Sequence, residues 1–204
     1  MSQAPVPDFA TRDPLSPEFW NERFERRFTP WDKGGVPQSL QEFAAAQAAP
    51  RSVLIPGCGT GWELAWLSEQ GWDAVAIDFS PAAVAAARQA VGRWSDRVAE
   101  ADFFAYRPQR PLDTIYERAF LCALPPAMRP RIAARWAELL PPGGLLAGFF
   151  FFDQAPKGPP FGIAPAELEA LLAPQFERID DRAVADSIPV FAGKERWQVW
   201  RRRG

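Results

Sequence analysis

The stretch Val53-Leu54-Ile55-Pro56-Gly57-Cys58-Gly59-Thr60-Gly61, with Asp78 downstream, most constrains what this chain folds into. Three apolar residues, two of them β-branched, read as a short buried strand. Glycines at 57, 59 and 61 then make a turn whose backbone passes close to a ligand. Residues 62–67 continue as a helix, stopped by Gly71 in the position after its C-cap. A second strand over 74–77 ends at Asp78, 21 residues beyond Gly57. Strand, glycine turn, helix, strand and terminal acid together describe a nucleotide-binding βαβ unit, in which Asp78 accepts from two ribose hydroxyls.

The spacing narrows the nucleotide. A dinucleotide loop of the form G-x-G-x-x-G needs glycine at 62, where this chain has Trp62, and a P-loop needs a lysine that is missing here. A loop that does not cradle phosphate, followed by a ribose-reading acid, suits S-adenosylmethionine (SAM), and the local sequence resembles the first motif of SAM-dependent methyltransferases. The ligand-facing ends of the later strands extend this reading. Asp102 and Phe103 suit an adenine, with the carboxylate accepting from the exocyclic amine and the ring covering the base. Glu117 is expected near the sulfonium or amino group of SAM. Each of these acids also has a plainer reading as a helix N-cap.

Composition excludes several classes. Net charge is −2 and histidine is absent, which argues against a nucleic-acid partner and removes the commonest general base and metal ligand. No metal is expected. Two cysteines, Cys58 and Cys122, fit a reducing cytoplasm. The longest apolar run, 145–152, is too short to span a membrane, and the first ten residues do not read as a signal peptide. The 9 tryptophans and 16 phenylalanines suggest an aromatic-lined cavity.

Along the chain, residues 1–15 read as a flexible lead. Ser16-Pro17-Glu18 opens a helix that runs to about Thr29-Pro30, and a second helix spans 38–48. After the βαβ unit come a helix over 82–91, a weak strand at 97–101, and a strand at 112–116 with Glu117 and Arg118 at its tip. A helix beginning at Pro125-Pro126, a continuous apolar strand at 145–152, a helix over 165–172 and strands at 176–183 and 196–200 complete it. Alternating strands and helices indicate a single open α/β domain over 1–204.

Five segments in order resemble the thiopurine S-methyltransferase family, which includes the halide and thiol methyltransferases. They are Phe19-Trp20 through Thr29-Pro30-Trp31-Asp32, the 55–61 loop, Glu117 through Leu124, Lys157-Gly158-Pro159-Pro160-Phe161, and Gly193-Lys194-Glu195 with Trp197. The resemblance implies a Rossmann-like class I sheet of about seven mostly parallel strands, helices on both faces and an N-terminal helical cap. It also implies a monomer, and SAM held by Trp20, Phe24 and Trp31. Aromatic faces attract a sulfonium cation. Arg118 matches the thiopurine branch, whereas the halide and thiol branch commonly has tyrosine there. The Gly-Lys-Glu segment matches the halide and thiol branch, so the acceptor stays open between thiols, thiopurines, and halide, selenium or tellurium species. Arg118, and less directly Arg196, are the candidates to lower a thiol's pKa or hold its thiolate. An NAD oxidoreductase, a non-catalytic SAM-binding protein and an O- or N-methyltransferase are the competing classes.

Overall fold

The computed structural model describes residues 7–155 and 157–204. Seven strands form one sheet in the order β3-β2-β1-β4-β5-β7-β6. They are β1 (Ser52–Pro56), β2 (Asp73–Asp78), β3 (Val98–Glu100), β4 (Thr114–Arg118), β5 (Leu145–Phe151), β6 (Phe176–Ala183) and β7 (Glu195–Arg202). The first five are parallel, and β7 lies antiparallel between β5 and β6. Six α-helices accompany them among the described residues: α1 (Pro17–Glu25), α2 (Gln38–Ala45), α3 (Trp62–Glu69), α4 (Pro81–Val91), α5 (Arg129–Leu139) and α6 (Pro165–Leu172). None of the helices is long and apolar enough to cross a membrane.

Side-chain alternation divides the core into two layers. Val53 and Ile55 point from β1 into the layer shared with α2, α3 and α4, and Leu54 points to the layer of α5 and α6. Phe149 and Phe150 divide the same way on β5, whose seven residues are all buried. A strand covered on both faces reads as continuously apolar, and each large side chain it buries contributes about 1.5–3 kcal/mol.

Local signals hold at several helix ends, but α2 stops at Ala45 rather than at Ala48, and α5 begins at Arg129, after a 3₁₀ turn, rather than at Pro125-Pro126. The Ser16 hydroxyl accepts from Glu18 N and the Ser80 hydroxyl from Ala83 N, capping α1 and α4. Gly71, at φ +84°, follows the end of α3. Helix α1 stops at Glu25 rather than near Thr29-Pro30, because the chain turns through Arg27 at φ +54°. The lead expected to be flexible over 1–15 lies partly outside the described residues. From Phe9 onward it is packed: Phe9 is buried, and the Glu22 carboxylate accepts from Ala10 N, Thr11 N and the Thr11 hydroxyl. Strand β4 runs two residues further than expected and takes in Glu117 and Arg118.

Candidate active site

The carboxyl ends of β1, β2 and β4 open onto a cavity of about 710 Å³, within the range of small-molecule sites. Its floor is the glycine turn after β1. Gly57, Gly59 and Gly61 all have positive φ, at +59°, +52° and +75°. At Gly57 a side chain is excluded twice over, because a Cβ there would lie 2.8 Å from the Phe120 ring in addition to the strained φ. Cys58 N donates to Ile77 O at 3.1 Å, which fixes the turn against the end of β2.

Asp78 stands at that end, buried, and accepts from Gly59 N at 3.2 Å and Ser80 N at 2.9 Å. Burial pushes its carboxyl up to about 6, against the lowering effect of those hydrogen bonds. A carboxylate has about four acceptor positions, so these two bonds leave capacity for a diol. Asp102 and Phe103 also line the cavity. Asp102 is exposed and its Oδ1 accepts from Phe104 N at 2.9 Å, so the turn-capping role exists alongside any ligand contact. Phe103 is 4% exposed, with its ring packed against Phe104 and Phe120, which leaves little of it to cover a base.

The N-terminal segment forms the opposite wall. Trp20 and Trp31 meet edge-to-face at 5.5 Å, and Phe24 and Trp31 at 6.2 Å. All three rings line the cavity, and the Phe24 ring tip would lie 3.6 Å from a Cβ at Gly59. Asp32 holds this wall to the floor. It accepts from the Thr60 hydroxyl at 2.5 Å, the Trp62 indole N–H at 2.9 Å and its own turn at Gly34 N. Trp62, which rules out a dinucleotide loop, is thus an anchor for the wall.

Positive-φ glycines under an open space, a buried carboxylate with spare acceptor capacity and a facing aromatic wall together fit a nucleoside sulfonium. The profile of the family described as Thiopurine S-methyltransferase (TPMT) matches residues 15–203. The chain belongs to the thiopurine S-methyltransferase family. It is 30% identical over 191 residues to Thiocyanate methyltransferase 1 of Arabidopsis thaliana, covering 90% of this chain and 84% of that one. It is 31% identical over 194 residues to Thiopurine S-methyltransferase of Pseudomonas putida, covering 85% and 90%. Its fold matches the Burkholderia thailandensis 1,6-didemethyltoxoflavin-N1-methyltransferase structure with a TM-score of 0.75 at 20% identity, over 98% of this chain and 95% of that one.

In this methyltransferase of the thiopurine S-methyltransferase family, the far wall of the cavity holds Arg118. Its Nη1 donates to Glu195 Oε2 at 2.8 Å, and its guanidinium lies over Phe149 at 4.2 Å. Burial works against its charge, but Tyr116, Glu195 and Glu63 outweigh burial and the net shift is upward. Arg118 lines the cavity, and Glu195 is buried behind it.

Glu117 departs from expectation. It does not line the cavity, because alternation along β4 sends it to the side opposite Tyr116 and Arg118. Its carboxylate accepts from Phe120 N and Leu121 N at 3.1–3.2 Å, capping the 3₁₀ turn Leu121–Ala123, and burial pushes its pKa up to about 8. Arg196 likewise points away, pairing with Asp181 at the exposed surface.

Three residues escaped the sequence reading. Asp32 stood in the segment with Trp31, and Glu63 in the helix after the glycine turn, neither with an assigned role. Glu195 sat inside the Gly-Lys-Glu motif without an assigned role. Both cysteines are buried and unpaired, and burial raises both thiol pKa values, which disfavours the thiolate form.

Proposed function

We propose that this protein moves a methyl group from SAM to the sulfur of a small thiol or thione, as a monomer in the cytoplasm. The observation that carries the acceptor assignment is the Arg118 guanidinium, fixed by Glu195 on the cavity wall at the end of the strand beside the glycine turn. A guanidinium stays charged at every working pH and presents a rigid fork of donors, which suits a sulfur gaining negative charge. Membership of the thiopurine S-methyltransferase family supports the same assignment.

When bound, SAM supplies an electrophilic methyl carbon on a sulfonium. Asp78 is assigned to the ribose hydroxyls, and Asp102 with the backbone at Phe103 to the adenine edge. Trp20, Phe24 and Trp31 are assigned to the cationic end, where their π-faces replace water around a charge that has no strong donors to offer. Gly57 and Gly59 let the chain pass close beneath it. Arg118 holds the acceptor sulfur on the far side. With both reactants held in line, catalysis comes from orientation and from exclusion of water by aromatic walls.

Free thiocyanate or halide is a second reading, favoured by the similarity to a protein named Thiocyanate methyltransferase 1. The Glu195 counter-charge weighs against it, since it leaves Arg118 little net attraction for a small free anion. The test is SAM consumption against a panel of alkyl and aryl thiols, thiopurines, thiocyanate, iodide and phenols. Fastest turnover on a neutral thiol or thione is expected. Turnover confined to thiocyanate and iodide, or to phenols, would overturn the assignment.

A further inference from the structure

Four carboxylates line the cavity: Asp32, Glu63, Asp78 and Asp102. Three are committed to the fold. Asp32 accepts from Thr60, Trp62 and Gly34, Asp78 from Gly59 N and Ser80 N, and Asp102 from Phe104 N. Glu63 is different. Beyond its own backbone N–H, its hydrogen-bond partner among the described residues is the Tyr116 hydroxyl, 3.4 Å from Oε1. Tyr116 precedes Arg118 by two residues on β4, so the two side chains share a face. Glu63 enters that space from the first turn of α3. The Glu63 carboxylate and the Arg118 guanidinium feel each other's charge.

We infer that Glu63 is the general base that takes the proton from the acceptor thiol. This rests on the sulfur-acceptor reading above. A thiol has to lose its proton to become a strong nucleophile, and the chain has no histidine to remove it. In the step, the S–H bond breaks and its proton passes to a Glu63 oxygen. The sulfur electron pair forms the new bond to the methyl carbon, and the bond from that carbon to the donor sulfur breaks with its electrons staying on the donor. Products are a methyl thioether and S-adenosylhomocysteine, and the proton leaves Glu63 for solvent once the site opens.

The surroundings suit the role. Burial raises the Glu63 carboxyl above the ordinary carboxylate range, its own backbone N–H, Arg118 and the Tyr116 hydroxyl hold it down, and Asp32 pushes it up. Cys58, the other titratable group nearby, is buried with its thiol pKa raised well above the ordinary value. Glu63 is thereby a stronger base than an exposed carboxylate.

Glu63→Gln in the full chain tests this. S-adenosylhomocysteine affinity, read by calorimetry, is expected to stay within about twofold of wild type. Transfer to an alkyl thiol at neutral pH is expected to fall by roughly a hundredfold, the ordinary scale of general-base catalysis. The deficit should shrink as pH approaches the thiol's own pKa. Thiocyanate, which has no proton to lose, should bind the S-adenosylhomocysteine complex at least as tightly as in wild type, because one negative charge is gone. Should Glu63→Gln not fold, Glu63→Asp, a base of shorter reach, is expected to show the same pH-dependent deficit to a smaller degree. A tenfold loss of S-adenosylhomocysteine affinity would place Glu63 with the methyl donor and overturn the inference, as would equal rate losses for thiol and thiocyanate. Wild type inert toward every sulfur acceptor would instead overturn the underlying reading.

Discussion

Glu195→Ala exposes how Arg118 is held. The pair is 2.8 Å long, with the Arg118 side chain 12% exposed and that of Glu195 2%. At that separation the attraction is about 6 kcal/mol for an effective dielectric near 20, and most of it is offset by desolvation of the two ions. Removing one partner of a buried pair nevertheless costs about 3–5 kcal/mol, since the survivor keeps its desolvation penalty without its counter-ion. The two single variants are unequal. Glu195→Ala leaves a guanidinium that opens on the cavity and still faces Glu63, so its cost belongs at the lower end, about 3 kcal/mol. Arg118→Ala strands a carboxylate that is nearly inaccessible and whose Oε1 already has no partner, and it also forfeits the packing on Phe149. Its cost belongs at the upper end, about 5 kcal/mol. Combining the two alanine substitutions should cost less than the sum of the single losses by about 3 kcal/mol or more, because neither ion is then left unpaired, although the enzyme will be inactive. Urea unfolding of the four proteins at neutral pH measures the cycle. Single effects that simply add in the double variant, or a larger cost for Glu195→Ala than for Arg118→Ala, would refute the reasoning.

Asp78, with its carboxyl raised to about 6 by burial, should make S-adenosylhomocysteine binding weaken by about tenfold per pH unit below 6, because ribose hydroxyls need an ionised acceptor. Its effect on stability runs the other way: its protonated form favours the fold fully below the unfolded value near 3.9, and that contribution is lost as pH rises through about 6. Calorimetry from pH 5 to 8 checks the first part, and a flat profile removes Asp78 from the ligand. Glu117→Ala is expected to cost about 1–3 kcal/mol in urea unfolding, through two backbone N–H groups left without acceptors, while ligand affinity stays unchanged. Weakened binding with intact stability would return Glu117 to the sulfonium.

The parts of the site that were legible in the sequence are those fixed by local geometry. Three glycines at alternate positions, the apolar strand before them and Asp78 at the end of the next strand each follow from a handful of adjacent residues. Glu117 was misplaced because its role depends on strand parity. With β4 ending at Tyr116 it sits on a tip facing the ligand, and with β4 extended through Arg118 it turns to the other face. Asp32, Glu63 and Glu195 carry no local signal, as their partners lie 28, 53 and 77 residues away. Only the folded chain brings those pairs together.

The placement of β7 bears on how this chain is made. Strand β5 is apolar along its whole length, and one of its edges is closed only by β7, which is also the strand that begins with Glu195. Synthesis delivers β5 before α6, β6 and β7 have emerged, so for that interval an unpaired hydrophobic edge is open to the wrong neighbour. The same event that closes the edge brings Arg118 its counter-ion. Chains stalled or cleaved ahead of β7 are therefore at once sticky and electrically incomplete at Arg118, a condition that quality-control proteases and chaperones are well placed to detect.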